Sequence, residues 1–218
     1  MDYQLKDDIA FINIDDGKAN AMNHEFIDGM NAAFDKAEAE AKVIVIQGRE
    51  GMLSAGFDLK AIAKGGDQAV QMLEKGMVLM TRMYSLPLPV ITVCEGHAIG
   101  MGAFILMASD NRIGVDSEYV VNLPETAIGM PFTPVLMSLI KDRIVNTEQT
   151  IAVMQSKKYT PAEAVDAGFL DQLVPADKLL ESATALAKQL AELPKAFYKK
   201  NKLDLRGDSL EVMRASLK

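Results

Sequence analysis

The stretch that most constrains this chain runs from Pro89 to Ala108. Pro89-Val-Ile-Thr-Val-Cys94 is a short apolar, β-branched run and reads as a buried strand. Ala103-Phe-Ile-Leu-Met-Ala108 carries helix formers with no polar break. Between them lies the glycine-rich turn Glu95-Gly-His-Ala-Ile-Gly-Met-Gly102. Glycine tolerates positive φ and has no Cβ, so Gly100 and Gly102 let backbone approach a ligand closely. The first N–H groups of the following helix are left without intrahelical acceptors. Strand, glycine turn and helix N-terminus together form a platform of backbone donors. The same turn would also serve close packing alone, so its function has to be read from the rest of the chain.

Along the chain, Ile9-Ala-Phe-Ile-Asn-Ile14 reads as a strand ending at the turn Asp15-Asp-Gly17. Asn23 caps an amphipathic helix through Phe26, Met30, Phe34 and Ala37, and Val43-Ile-Val-Ile46 is a second strand. Strand, helix, strand in that order is a crossover unit. A second close-approach turn, Ser54-Ala-Gly56, leads into a short helix, and Gln68 to Ser85 is helical. Beyond the central stretch, Asn111–Val115 and Tyr119–Val121 read as short strands. Helices are expected at Val135–Val145, Thr147–Gln155, Pro161–Ala167 and Asp177–Leu193, with a capping box at Thr160-Pro-Ala-Glu163.

Composition narrows the function classes. A formal charge of −7 opposes general binding to nucleic acid or anionic membranes, so an anionic ligand would need a local basic patch. The single cysteine, Cys94, allows no intramolecular disulfide and sits in an apolar strand as an inert thiol. The first eight residues lack a basic, then apolar, leader pattern. No segment approaches the ~18 uninterrupted apolar residues of a membrane span, so a cytoplasmic protein is expected. Fourteen methionines suit either core filling or an adaptable apolar pocket.

Few side chains of catalytic type remain. Glu125 lies in Asn122-Leu-Pro-Glu-Thr-Ala-Ile-Gly129, where proline and glycine forbid a continuous helix. A carboxylate desolvated on such rigid backbone has its proton affinity raised, as a general base requires; an exposed loop glutamate is the plain alternative. His24 and His97 have no serine elbow, no His/Cys set has zinc-ligand spacing, and Gly100-Met-Gly102 lacks the third glycine of a dinucleotide fingerprint. What is left is carbonyl chemistry by backbone donors and one carboxylate.

Five motifs in order carry a resemblance. They are Lys18-Ala-Asn-Ala-Met22, Ser54-Ala-Gly-Phe-Asp-Leu59, Gly96-His-Ala-Ile-Gly-Met-Gly102, Pro124-Glu-Thr-Ala-Ile-Gly129 and Thr160-Pro-Ala-Glu-Ala-Val-Asp-Ala-Gly-Phe-Leu170. Together they resemble the crotonase, or enoyl-CoA hydratase/isomerase, superfamily from about Ile9 to Leu193. The resemblance implies an α/β crotonase fold of repeated β-β-α units with a C-terminal helical segment. Residues 1–193 would form the core with its trimerisation helices, and 194–218 a short helical tail. It implies an acyl-CoA substrate, no separate cofactor and no metal, and a homotrimer or dimer of trimers.

By position in the motifs, the oxyanion donors are the N–H groups of Phe57 and Met101, and Glu125 is the catalytic carboxylate. Lys18, Ala19, Ala21, Ala55, Asp58, Leu59, Lys60, Gly100, Phe104 and Pro124 are carried over as substrate-binding positions. Met77, Met80 and Phe104 are candidates for an acyl pocket. Lys18 and Lys60, with Lys199 and Lys200 of the tail, are candidates for meeting the anionic coenzyme A. Similar hydratases carry a second glutamate where this chain has Phe104. Two carboxylates hold and activate a water, whereas one base suffices to move a double bond. The resemblance therefore implies a delta-3, delta-2 enoyl-CoA isomerase. A hydratase or another enolate-forming enzyme is the alternative, and a non-catalytic acyl-CoA-binding subunit is the alternative of a different class.

Overall fold

The computed structural model describes residues 1–217. In chain order the elements are β1 (Asp2–Lys6), β2 (Ile9–Asn13), α1 (His24–Glu40), β3 (Val43–Gln47), β4 (Gly51–Ser54), α2 (Leu59–Lys64), α3 (Gly66–Ser85), β5 (Val90–Cys94), β6 (Gly96–Ile99) and α4 (Met101–Ala108). They continue with β7 (Asn111–Val115), β8 (Val121–Asn122), α5 (Pro134–Arg143), α6 (Asn146–Met154), β9 (Lys158–Tyr159), α7 (Pro161–Ala167) and β10 (Gln172–Val174). A 3₁₀ turn at Ala176–Lys178 then leads to α8 (Leu179–Ala191), α9 (Lys195–Leu205) and α10 (Gly207–Ala215).

Two sheets follow from one repeated unit. In each repeat the first strand joins a six-stranded sheet, ordered β1-β2-β3-β5-β7-β10, and the second joins a four-stranded sheet, ordered β4-β6-β8-β9. Thus β3-β4, β5-β6 and β7-β8 step from one sheet to the other, and a helical segment follows each pair. All neighbours in the larger sheet are parallel except the β1-β2 hairpin, and β4, β6 and β8 are parallel to one another. This is the β-β-α repeat of the crotonase fold.

Strands buried on both faces read as unbroken apolar runs. Val43 and Val45 of β3 pack in a cluster with Leu179, Ala183 and Ala187 of α8, while Ile44 and Ile46 enter the main core. Every residue of α4 is buried, which explains its lack of a polar face. Cys94 is buried too, its thiol donates to Gly96 O, and burial pushes that thiol up to about 12.

Several readings are refined by the structure. The turn expected from Glu95 to Gly102 contains a strand, β6, and β4 occupies Gly51–Ser54 in what reads as a loop. The helical segment from 194 packs against the rest of the fold. Leu210 and Met213 of α10 belong to the main core, and α10 packs on α5 and α3. Lys202 of α9 is buried and paired with Asp110 at 2.7 Å, which fastens that helix to the core.

Candidate active site

The first donor turn follows β4. Its backbone is clamped by the loop before α1: Ala55 N donates to Ala19 O (2.9 Å), Met22 N to Gly56 O (2.8 Å), and Asp58 N to Met22 O (3.1 Å). These bonds face Met22 on either side of Phe57, so the Phe57 N–H points the opposite way. Asn20 locks the loop from beneath, donating to Ile14 O at 2.8 Å and Leu53 O at 3.1 Å. The Asp58 carboxylate caps α2 by accepting from Lys60 N (2.9 Å) and Ala61 N (3.2 Å).

The second donor turn ends β6. Gly100 has φ +51°, donates its N–H to Asn122 O at 2.9 Å and accepts from Phe104 N at 3.1 Å, so it is the cap residue of α4. Met101 is the first helical residue, with an N–H that no intrahelical carbonyl can reach. Glycine at 56 (φ +89°) brings the two turns together: a methyl there would lie 2.9 Å from Ile99 O and 3.2 Å from Met101 N. Among the described residues, neither Phe57 N–H nor Met101 N–H finds an acceptor.

Glu125 approaches the same point from the third repeat. Ile128 N donates to Pro124 O (3.0 Å) and Met130 N to Glu125 O (2.8 Å), which closes its loop into a compact turn. The Thr126 hydroxyl fastens that turn to Val153 O of α6 at 2.6 Å. Glu125 is 6% exposed, and its Oε2 has no hydrogen-bond partner. Its Oε1 comes within 3.3 Å of the position a Cβ would take on Gly100. Desolvation raises the carboxyl from 4.5 to about 7.

These groups share one cavity of about 1010 Å³. Ala55, Gly56, Phe57, Gly100, Met101, Pro124 and Glu125 line its polar end. Leu73, Met77 and Val78 of α3, with Ile27 of α1, Leu136 of α5 and Leu217, supply apolar wall. Asp28 and Glu74 also border it, but both are exposed, so Glu125 is the buried carboxylate of the lining.

The structure brings together Glu125, Phe57, Met101, Ala55, Gly100, Pro124, Leu59 and Met77 on this cavity. It separates others. Phe104, expected in the pocket, is fully buried behind the wall, edge-on to Phe132 at 6.4 Å between ring centroids. Met80 is likewise in the core. Both correct the acyl-pocket expectation: a helix face that meets the core cannot also meet the cavity. Ala19 and Ala21 lie in the clamp loop, Lys18 and Lys60 are exposed, and none of the four lines the cavity. Lys200 pairs with Asp204 on its own helix, and Lys199 is exposed. Sequence reasoning missed Asn20, whose φ of +51° and buried amide reveal its role only in three dimensions.

The enoyl-CoA hydratase/isomerase family model matches residues 4–214. The chain belongs to that family. A Bacillus subtilis relative described as a probable enoyl-CoA hydratase is 30% identical over 191 residues, covering 84% of this chain and 73% of the relative. An enoyl-CoA hydratase/isomerase family structure from Pseudomonas syringae is 35% identical, with a TM-score of 0.95 over 99% of this chain and 94% of that one. A Mycobacterium tuberculosis structure described as an enoyl-CoA isomerase is 34% identical, with a TM-score of 0.94 over 99% and 95% of the two chains. The family acts on acyl-CoA thioesters, so this cavity belongs to an acyl-CoA-transforming enzyme, and names of both reactions occur among its relatives.

Proposed function

We propose that this enzyme is a delta-3, delta-2 enoyl-CoA isomerase that works with one carboxylate, Glu125. The observation that carries the reading is the unpartnered Oε2 of buried Glu125, on the same cavity as two unengaged backbone N–H groups.

With the thioester oxygen between Phe57 N–H and Met101 N–H, the ionised Glu125 takes a proton from C2 of a 3-enoyl thioester. The electron pair delocalises as a dienolate, with negative charge on the thioester oxygen. Two fixed donors stabilise that charge without reorganisation, and losing one such donor typically costs about 3 to 4 kcal/mol of barrier. Glu125 then returns the proton at C4, which leaves the double bond between C2 and C3 and regenerates the carboxylate. No water enters the balance. A carboxyl near 7 accepts and returns a proton at neutral pH with little penalty in either direction.

The cavity lining supports isomerisation over hydration. Glu125 is its one buried carboxylate, so the lining offers no second buried acid to help hold and activate a water, and Phe104 packs on Phe132 behind the wall. We further propose that coenzyme A reaches the exposed Lys60 and Lys18 outside the cavity wall, with no separate cofactor. The active form would be a homotrimer or a dimer of trimers, located in the cytoplasm.

The test is product analysis. Purified protein converts 3-enoyl-CoA into 2-enoyl-CoA, and Glu125→Gln abolishes that conversion. Efficient hydration of 2-enoyl-CoA by the wild type would overturn the assignment. Tight acyl-CoA binding without turnover would select a binding subunit instead.

A further inference from the structure

Helix α3 faces the cavity with Leu73, Met77 and Val78, yet one position between them is bare. A methyl carbon on Gly76 would lie 2.5 Å from Cζ and 2.7 Å from Cε1 of Phe57, far inside van der Waals contact. The Phe57 ring is therefore seated in a notch on α3 that only glycine leaves open. Gly76 is not among the positive-φ residues, so space rather than backbone conformation requires the glycine. A glycine inside a long helix weakens that helix relative to alanine, which makes the notch the more telling.

The seated ring belongs to one of the two oxyanion donors. The Phe57 backbone is held by the Met22 bonds on both sides and by the approach of Gly56 to Ile99 and Met101. Its side chain, by comparison, has other χ1 rotamers that leave the backbone where it is. A group added at position 76 thus evicts the ring and leaves the N–H in place. The open volume beside the ring is the cavity that Phe57 itself lines.

We propose that Gly76 is a specificity-determining residue, whose notch holds the Phe57 ring out of the acyl path and so admits medium and long acyl thioesters. The proposal rests on the acyl-CoA reading of the site. Gly76→Ala narrows the apolar part of the cavity while sparing the reacting end.

The experiment compares hexenoyl and dodecenoyl 3-enoyl-CoA turnover, together with calorimetric binding of saturated hexanoyl- and dodecanoyl-CoA. Gly76→Ala is expected to lose about tenfold or more in kcat/KM on the long substrate, mainly through KM, and under about threefold on the short one. Dodecanoyl-CoA binding weakens in parallel, and Phe57→Ala in the Gly76→Ala background restores it. Should Gly76→Ala not fold, Phe57→Trp crowds the same notch from the other side and is expected to give the same chain-length bias. Equal losses at both lengths, or no recovery in the double variant, would overturn the proposal. Chain-length-dependent binding without isomerase turnover would support the notch and overturn only the reaction assigned to the site.

Discussion

Glu125 and Asp110 are both withdrawn from water, and their surroundings are opposite. Asp110 accepts from Val90 N, Lys202 Nζ and Arg206 Nη2, each at 2.7 Å. Lys202 also donates to Leu88 O at 3.0 Å, and Arg206 donates to Tyr84 O at 2.6 Å and lies over the Tyr84 ring. Glu125 has an oxygen with no partner at all. A buried carboxylate surrounded by donors fixes structure; one left unsatisfied at a cavity is available for a reaction. Asp110 ties Lys202 of α9 and the following Arg206 to the start of β5, and Arg206 in turn reaches the end of α3, whereas Glu125 leaves an unmet demand on the cavity.

The largest test of that contrast is Glu125→Gln, which keeps the shape and removes the proposed base. On the proposed reaction, kcat with 3-enoyl-CoA is expected to fall by about a thousandfold, with the thermal midpoint no lower than wild type. Asp110→Ala should do the reverse. Leaving Lys202 and Arg206 buried without their carboxylate costs about 3 to 5 kcal/mol in urea unfolding, while kcat/KM of the folded protein stays within about threefold.

Titration separates the two regions by sign. The Glu125 carboxyl rises from 4.5 to about 7 through burial, so the folded state holds that proton more tightly than the unfolded one. Its stabilising contribution is complete below pH 4.5 and is lost as pH rises through 7, a swing of about 3 kcal/mol. Glu125→Gln is therefore expected to be more stable than wild type at pH 8, and the gap should close on acidification. Activity runs the other way, rising through a half-maximum near pH 7 and levelling off above it as the base ionises.

Lys202 is lowered from 10.5 to about 8, because desolvation outweighs the attraction of Asp110. Its folded-state contribution is present above pH 10.5 and is lost as pH falls through 8. The wild type should thus gain stability relative to Lys202→Met between those values, as read from denaturant midpoints. The smallest effect belongs to neither buried group. Lys60→Glu, on the exposed rim, should raise KM about fivefold with kcat nearly unchanged, since a surface charge contributes about 1 kcal/mol to uniform binding.

How much of this was legible depended on whether the signal was local. Gly56 and Gly100 announced themselves as turns before helices, and Asn23, Thr160 and Glu163 as caps, because a backbone conformation is decided within a few residues. The two strands β4 and β6 were hidden inside glycine-rich segments, since their pairing partners lie in other repeats. Phe104 shows a different failure. In α4 every residue is buried, so periodicity could not tell the side facing the cavity from the side facing Phe132. Met80, on α3, is fully buried in the core and does not line the cavity, although Leu73, Met77 and Val78 of the same helix do. Nothing near Lys202 in the sequence marks it as buried, because its partner, Asp110, is 92 residues away.

The sequence by itself determined the donor turns, the helix starts and stops, the single carboxylate on a proline-bounded loop and the ordered motifs of an enoyl-CoA enzyme. These rest on steric limits of φ, on missing N–H groups and on short-range capping, all of which act between near neighbours. The tertiary structure alone decided that Phe57 N–H, Met101 N–H and Glu125 share a cavity. It also decided that Ile27, Leu73, Leu136 and Leu217 wall that cavity, that Asp110 is satisfied while Glu125 is not, and that Gly76 makes room for the Phe57 ring. Desolvation, packing and hydrogen-bond satisfaction depend on which distant segments meet, and that meeting is set by the stacking of three β-β-α repeats into two sheets.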